Sequence, residues 1–333
     1  MARWLVFALC GVWLLFTVFP VYWTVVTAFK SPPAVFDGPT YVPWYDFTPS
    51  LRGVREVLSG ERGDVLRPLL NSTLIGFTAT ALATLLGSMA AYALVRFEMR
   101  VRLVAALVFV AAGIGGYLGL DHAGWSDGGA MGGALLVALA TSVPANRIPF
   151  PGKVFANADI AFWFISQRMF PPIVSAFALY LLYARLGRDG FQLLDTFWGM
   201  TLCYTAFVLP VVVWLMRDFF RSLPVAVEEA ALVDDVPRWR IFFEIVLPMS
   251  RGGLVATFLI SLGFVWNEFL FALILTTNEA VTLPVGLALF KAEEGELWHY
   301  IAAAGILIMV PMWVLALLIQ KHFVQGMTMG AVK

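Results

Sequence analysis

Two ionisable residues stand inside apolar stretches of this chain. Arg168 lies about nine residues into one stretch, and Glu268 lies towards the far end of another. Exposure of such a side chain to lipid costs several kcal/mol, so intramembrane charges usually face a cavity or a partner. Both side chains are therefore predicted to point away from lipid, where they can hydrogen-bond a polar solute. A polar clamp between helices, or pairing with another subunit, is the alternative.

A second group of polar residues forms a charged block, VEEAALVDDVPRWRIFFEIVLPMS, at 227–250 of a chain that is 60% hydrophobic. Two acidic pairs precede two arginines in this block, at positions 228, 229, 234, 235, 238 and 240. A segment with so many charges is expected at a membrane surface, where it would act as a docking loop. An ordinary amphipathic surface helix is the alternative.

Catalytic and metal-binding patterns find no support in the sequence. Gly152-Lys153 is its only Gly-Lys pair, and Arg147 stands where a phosphate-binding loop requires glycine. The histidines, at 122, 299 and 322, are scattered at loops and ends, which gives no metal pattern. Cys10 and Cys203 lie in apolar runs and are predicted to be buried free thiols. The chain is thus expected to hydrolyse no ATP by itself and to bind no cofactor.

Composition places the chain in a membrane. Its 333 residues have a mean hydropathy of +0.83, 13% charged residues, 12 Trp and 28 Phe, which is unlike a soluble domain. A net charge of zero and a pI near 6.8 argue against a nucleic-acid partner, because no basic surface is available for phosphates.

Runs of about 20 apolar residues, the length that crosses a bilayer, predict the spans. They lie at about 4–28, 72–95, 103–119, 159–183, 197–216, 254–275 and 300–319, with a shorter run at 129–144. The first run is too long for a signal peptide and lacks a cleavage site, so it is predicted to remain as an anchor.

Basic residues between the runs predict the orientation, because short cytoplasmic loops are enriched in Lys and Arg. The basic loops contain Arg96, Arg100 and Arg102, then Arg147 and Lys153, then Arg217, Arg221, Arg238, Arg240 and Arg251. Arg3 and Lys321 place both termini on the same side. Cytoplasmic termini require an even number of spans, and eight are predicted.

The spacing within the charged block resembles the signature of bacterial ABC-importer permeases. That signature is Glu-Ala-Ala, three residues, Gly, nine residues and Ile-x-Leu-Pro, and it is matched by Glu229, Ala230, Ala231, Ile245, Leu247 and Pro248. Asp235 replaces the glycine. Aspartate is among the residues that best tolerate positive φ, so it can keep the turn. Pro237 suits the start of the helix that follows.

Further segments resemble the maltose-type carbohydrate permeases over nearly the whole chain. They are NSTLIGFTATALATLLGSMAAYALVRF, FWFISQRMFPPIVSAFALYLLY, WNEFLFALILTT, TLPVGL and FVQGMTMGAVK. The resemblance implies an all-α membrane protein with the six-helix core of a type I ABC importer permease. Residues of about 98–149 would be an insertion, predicted to form a transmembrane hairpin in which Gly128, Gly129, Gly132 and Gly133 allow close helix approach. A re-entrant or surface-lying segment is the alternative for its short second run.

The resemblance also implies a domain organisation. The first transmembrane helix would be 1–29, an external loop 30–70 and the permease domain 71–320. Within that domain 227–250 would be a cytoplasmic coupling loop, and 321–333 a cytoplasmic tail. The loop at 30–70 is a candidate surface for a solute-binding protein, and an ordinary surface loop is the alternative.

Three sets of site residues follow from the resemblance. The ATPase-coupling set is Glu228, Glu229, Ala230, Ala231, Asp234, Asp235, Pro237, Leu247 and Pro248. The substrate-pathway set is Asn71, Arg168, Trp266, Asn267 and Glu268, and the ATPase-contacting tail includes Gln325, Gly326 and Lys333. Pro171-Pro172 would add a kink within a span, which serves either gating or packing.

The implied partners are a second homologous permease, two cytoplasmic ATPase subunits that carry ATP and Mg, and an external solute-binding protein. The chain would then be a multi-pass subunit of a bacterial inner membrane that imports a sugar or polyol, and not an enzyme by itself. An ion-coupled secondary transporter, with Arg168 and Glu268 as relay, is the rival function, but the inverted repeats typical of that class are not evident. A membrane enzyme would need a polar cluster at one depth, which the sequence does not indicate.

Overall fold

The computed structural model describes residues 2–37, 40–60, 64–149, 152–289 and 298–331, with the backbone alone for residues 2, 289 and 319–331. The chain divides into two compact units. One comprises Met1–Thr73 and Val281–Leu318, and the other comprises Leu74–Ala280 and Ile319–Lys333.

The described residues are predominantly α-helical, which confirms the predicted all-α class. The first helices are α1 (Ala2–Ala28), α2 (Pro32–Phe36), α3 (Arg52–Ser59), α4 (Leu66–Arg96), α5 (Leu103–His122), α6 (Asp127–Ala145), α7 (Asn157–Ser166) and α8 (Pro172–Arg188). They are followed by α9 (Phe197–Ser222), α10 (Val225–Val233), α11 (Arg238–Arg240), α12 (Leu247–Met249), α13 (Arg251–Trp266), α14 (Leu270–Leu275), α15 (Leu283–Leu289) and α16 (Trp298–Ala331). Two short strands, β1 (Val101–Arg102) and β2 (Val154–Phe155), pair antiparallel.

Within the described residues, six helices are long and apolar enough to cross a membrane by themselves: α1, α4, α5, α6, α9 and α16. Two bent helix pairs raise the number of candidate spans to as many as eight if each pair counts as one span, and eight is the predicted number. One pair is 157–169 with 172–188, bent by 91°, and the other is 238–249 with 251–266, bent by 80°.

The first unit packs the predicted external segment into ordered structure. Lys30 is only 3% exposed, and its ammonium lies 4.4 Å from the ring centroid of Trp23. The carboxylate of Glu56 lies 2.7 Å from Arg52 Nε and 3.5 Å from His299 Nε2, with both Glu56 and His299 buried. The 40–60 part of this segment thus contributes buried side chains, among them Phe47, Glu56 and Val57, while its role stays a prediction.

The second unit is built around α9, half of whose residues are buried. A Cβ at Gly87 of α4 would lie 2.5 Å from Val212 Cγ1, and a Cβ at Gly253 of α13 would lie 2.5 Å from Phe219 Cγ. Both glycines thus allow a neighbouring helix to approach α9 closely, as small residues do at membrane helix interfaces.

Two predicted spans are interrupted. The predicted span 159–183 breaks at the 3₁₀ turn Gln167–Met169, and α8 then starts at Pro172, where its missing N–H costs no hydrogen bond. The predicted helix over 254–275 is wrong as a continuous element, because α13 ends at Trp266 and α14 begins at Leu270. Apolar composition alone could not reveal the second break, since the residues on both sides are apolar.

Helices α5 and α6 form the hairpin predicted from the inserted sequence. Its chain ends lie side by side, because Val101 pairs with Phe155 and Arg102 with Val154. Asn157 also bridges the flanking chain, accepting from Met99 N–H at 2.7 Å and donating to the carbonyls of Leu94 and Phe97. A segment that starts and ends at one point leaves the surrounding topology unchanged. That 98–149 is an insertion stays a prediction.

Close approach within the hairpin uses fewer glycines than predicted. A Cβ at Gly133 would lie 2.5 Å from Leu120 Cδ1, whereas Gly132 has no neighbouring atom within 4 Å. Gly128 instead meets Phe191, and its N–H donates to Asp189 at 2.6 Å. Gly128, at the start of α6, therefore allows α6 to contact the chain that follows α8. Cys203 is buried as predicted, but Cys10 is exposed.

Asp195, between α8 and α9, anchors the chain that follows α14. Its carboxylate accepts hydrogen bonds from the backbone N–H groups of Asn278, Glu279 and Ala280 and from the Thr277 hydroxyl, at 2.8–3.0 Å. Its own N–H donates to the Leu275 carbonyl at 2.9 Å, and its φ is +54°. Burial raises the pKa of this carboxyl, but the hydrogen bonds outweigh burial and hold the pKa at about 2.

We expect Asp195→Asn to lower the thermal stability of the purified protein. An amide presents only one acceptor oxygen, and a charged acceptor contributes about 1.5–3 kcal/mol to such hydrogen bonds. Because the folded pKa lies below that of the unfolded chain, the stabilisation is present at neutral pH and is lost as pH falls from about 5 towards 2. Thermal unfolding in detergent at pH 7 and pH 3.5 should show the gap between wild type and variant narrowing at the lower pH.

Asp121→Asn provides the matched control, since Asp121 is an exposed aspartate. It should melt within about 1 °C of wild type, as most exposed substitutions change stability little. An unchanged melting temperature for Asp195→Asn at pH 7 would contradict the anchoring role.

Candidate functional site

The charged block 227–250 forms a helix, a turn and a second helical stretch. Helix α10 ends at Val233, and after the turn α11 begins at Arg238, directly after Pro237. The second stretch continues as a π-helix over Ile241–Val246 and ends with α12, which contains Pro248. The block therefore consists of two helical stretches joined by a turn.

Asp235 makes the turn that glycine would make. Its φ is +58°, in the left-handed region. The N–H of Val236 donates to the Ala231 carbonyl at 3.1 Å, and the N–H of Asp235 donates to the Leu232 carbonyl at 3.2 Å. These two bonds form a Schellman motif, which closes a helix with a left-handed residue just after its end. The substitution of glycine by aspartate preserves the backbone geometry.

Glu228 points inward and fastens the block to the membrane helices. It is 7% exposed, accepts from the Tyr92 hydroxyl at 2.8 Å and forms an ion pair with Arg96 Nε at 2.8 Å. Arg96 also donates to the Phe220 carbonyl at 3.0 Å, close to the end of α9. We call Tyr92, Arg96 and Glu228 the latch. It connects α10 to the ends of α4 and α9 through partly desolvated polar contacts.

The opposite face of the block is open to solvent. Glu229, Ala230, Asp234, Asp235, Pro237 and Pro248 are exposed, while Ala231 and Leu247 are half-buried. Val233 and Trp239 are 83% and 66% exposed, which is unusual for large apolar side chains next to so many charges. An exposed apolar patch with a polar rim is typical of a protein-binding surface.

Basic loops of the second unit gather at the same end as this block. Arg96 reaches Glu228, and the guanidinium of Arg238 lies 5.1 Å from the ring centroid of Phe97. The β1–β2 pairing joins the 101–102 loop to the 154–155 loop beside it. The loops that the charge pattern assigned to one side of the membrane therefore do lie together. Which side this is stays a prediction.

Arg168 lines a cavity of about 380 Å³ in the second unit. The residues around it are mainly apolar or aromatic: Gln167, Phe170, Pro172, Ser175, Leu179, Cys203, Ala206, Phe207, Pro210 and Phe271. The cavity lies at the break between α7 and α8, where Pro171 and Pro172 follow the 3₁₀ turn. The volume is within the roughly 300–1,000 Å³ typical of small-molecule sites.

The other predicted pathway residues take different positions. Glu268 is 9% exposed, and its carboxylate accepts the N–H groups of Phe271 and Ala272 at 3.0–3.3 Å, which caps α14. Trp266 is 3% exposed, whereas Asn267 is exposed and donates to the Gly263 carbonyl at 2.9 Å. Asn71 belongs to the first unit, where it donates to the Val281 carbonyl at 3.0 Å.

Only part of the predicted ATPase-contacting tail lies within the described residues. Gln325 and Gly326 lie in the last part of α16, of which the backbone alone is described. Lys333 lies outside the described residues.

Sequence reasoning missed Tyr92 as a functional residue and used Arg96 only as a marker of orientation. The two residues lie one helical turn apart at the end of α4, so they share one face of that helix. That spacing was the available signal, but nothing in the sequence pairs them with Glu228, which is more than 130 positions away. Among the described residues no group of three His, Cys, Asp or Glu side chains could hold a metal ion.

Comparison with known proteins identifies relatives over nearly the whole chain. The probable ABC transporter permease y4oR of Sinorhizobium fredii is 29% identical over 315 residues, covering 95% of this chain and 90% of that protein. The trehalose transport system permease SugB of Mycobacterium tuberculosis is 29% identical over 323 residues, covering 96% of this chain and 93% of SugB.

A solved structure shares the fold. It belongs to a bacterial ABC transporter involved in the import of the acidic polysaccharide alginate, and the matched chain has a TM-score of 0.63 at 18% identity, with 96% of this chain and 95% of that chain covered. The family model of binding-protein-dependent transport system inner membrane components matches residues 155–329, and the ion-coupled alternative receives no support from it. This chain, with its helical core and its helix-turn-helix block at 227–250, belongs to the family of binding-protein-dependent transport system inner membrane components.

Proposed function

We propose that this chain is the permease subunit of an ATP-driven importer of a sugar or polyol and forms half of its translocation pathway. The observation that carries the proposal is the block 227–250, with one face latched to the membrane helices and the other exposed. A segment held in this way can pass the movement of a bound partner to the helices. The trehalose permease among its relatives supports a carbohydrate substrate.

Coupling to ATP would run through the latch. A buried ion pair resists separation, because removing one partner leaves an uncompensated charge. Movement imposed on α10 by an ATPase would therefore displace α4 and α9 and not detach the block. Alternating access then requires that the two conformations of the spans differ in their affinity for the solute.

The assembly would contain a second homologous permease, two cytoplasmic ATPase subunits and an external solute-binding protein. ATP and Mg would be bound by the ATPases, since the sequence of this chain carries no phosphate-binding loop. Both termini would be cytoplasmic in a bacterial inner membrane, and the tail from Gln325 to Lys333 would give a second contact with the ATPases. The packed segment of the first unit would face the binding protein.

Charge reversal on the exposed face tests the docking role. We expect Glu229→Arg to reduce co-purification of the ATPase subunits and solute-stimulated ATP hydrolysis by roughly tenfold or more, because misplaced charge at an interface costs several kcal/mol. Asp121→Arg is the matched control, since Asp121 is exposed and lies near the end of α5, away from the block. Unchanged assembly and unchanged stimulated hydrolysis for Glu229→Arg would refute the coupling role.

Removal of one latch partner tests the inward connection. We expect Arg96→Gln and Glu228→Gln each to increase hydrogen exchange in residues 225–250 and to lower the amount of solute imported per ATP, since breaking a buried pair costs about 3–5 kcal/mol. The double variant should recover part of this loss because no unpaired charge remains.

The exposed Arg240–Glu244 pair of the same loop provides the control for the latch. Its double replacement by glutamine should change exchange little, as exposed pairs contribute about 0–1 kcal/mol. Equal effects of the two pairs would contradict the latch.

Substitutions of Asp235 test whether coupling depends on the backbone geometry of the turn or on a contact made by the carboxylate. We expect Asp235→Gly to keep coupling and Asp235→Val to impair it, because a β-branched residue at positive φ costs roughly 1–2 kcal/mol or more. Stimulated ATP hydrolysis and uptake in proteoliposomes are the measurements. If Asp235→Gly is as defective as Asp235→Val, the carboxylate itself contacts the ATPase and the turn geometry is not the deciding property.

A further inference from the structure

Two aromatic rings lie beside the Arg168 guanidinium. Its Cζ lies 4.7 Å from the ring centroid of Phe207 and 4.8 Å from that of Phe264. Such cation–π contacts stabilise the charge and fix the plane of the group. Rings provide no hydrogen-bond acceptor in that plane, so the N–H groups at the edge of the guanidinium keep their donor capacity.

The cavity has an unbalanced positive charge. Arg168 is the charged member of the residues that line it, and within the described part of the chain Arg168 has no ion pair and no hydrogen bond. Glu268, an acidic residue of the same unit, has its carboxylate on the backbone N–H groups of Phe271 and Ala272. A cation at membrane depth without a counter-ion is costly, which favours a ligand that supplies negative charge.

The remaining walls suit a carbohydrate ring. Phe170, Phe207 and Phe271 offer apolar faces, and Gln167 and Ser175 offer polar groups for hydroxyls. The start of α8, at Pro172, also borders the cavity, and the positive end of its dipole adds to the field of Arg168. A planar guanidinium whose edge is free matches the two oxygens of a carboxylate, sulfonate or phosphate.

We propose that this cavity selects acidic solutes, and that the imported carbohydrate or polyol carries a carboxylate, sulfonate or phosphate group paired with Arg168. This inference rests on the importer function proposed above and deepens it by naming the substrate class. The acidic group lies on the edge of Arg168, and the aromatic walls contact the apolar face of the solute.

Equilibrium binding to the purified complex of both permeases and the ATPases, without the solute-binding protein, tests the inference directly. The probes are matched pairs that differ in charge: glucose with glucuronate, and glycerol with glycerol 3-phosphate. We expect the acidic member of at least one pair to bind roughly tenfold or more tightly than its neutral partner, as a charge-assisted hydrogen bond does.

Variants at Arg168 identify the residue responsible. Arg168→Gln should weaken binding of the preferred acidic probe about 10- to 100-fold and change the neutral probe less than about threefold, while Arg168→Lys should keep the preference for the acidic probe. Arg100→Gln is the matched control, because Arg100 is 76% exposed and does not line the cavity. Size-exclusion profiles and melting temperatures establish that each variant assembles as wild type does.

Equal binding of both members of every pair, tighter binding of the neutral members, or no binding of any acidic probe would overturn the inference. An equal loss of acidic and neutral probes in Arg168→Gln would also overturn it, since Arg168 would then bind hydroxyls or a carboxylate of the second permease. The importer proposal fails separately, if the chain forms no complex with ATPases or if uptake does not depend on ATP.

Discussion

Hydrocarbon offers no hydrogen-bonding partner, so polar groups inside this protein must be satisfied by the protein itself. That constraint explains where the helices are continuous and where they break. Helix α13 can end at Trp266 because Glu268 accepts the free N–H groups at the start of α14. The chain can pass from α4 to α7 across a hairpin because Asn157 satisfies the carbonyls of Leu94 and Phe97. At both of these places a polar side chain satisfies backbone groups that the interruption leaves open.

The same constraint gives the charged block two distinct faces. Glu228 can be buried because Tyr92 and Arg96 hold its oxygens, and Arg96 in turn uses its second nitrogen on the Phe220 carbonyl. The following residue, Glu229, faces solvent. Two neighbouring glutamates therefore serve different purposes, one as an internal fastening and the other as part of an exterior surface.

Arg168 is the contrasting case, since its charge is stabilised by rings and not by a carboxylate. It stands at a helix break, on a cavity, in the part of the fold where backbone irregularity is tolerated only if it is buried or lines water. A fully paired arginine would be a structural clamp. An arginine held by two aromatic rings can still donate hydrogen bonds from its N–H groups to another molecule.

The sequence alone determined the membrane class, the family and the position of the charged block, because hydropathy and motif spacing are local properties of the chain. It also identified Asp235 as a residue able to replace glycine, since tolerance of positive φ belongs to the residue type.

Only the tertiary structure decided the break at Asn267–Phe269, the inward direction of Glu228 and the burial of Trp266. These depend on contacts between residues that are distant in sequence, as in the pairing of Arg96 with Glu228 or of Asp195 with residues 277–280. Charge and polarity could indicate that Arg168 and Glu268 avoid lipid. Which of them caps a helix and which lines a cavity was settled by the packing of the helices around α9.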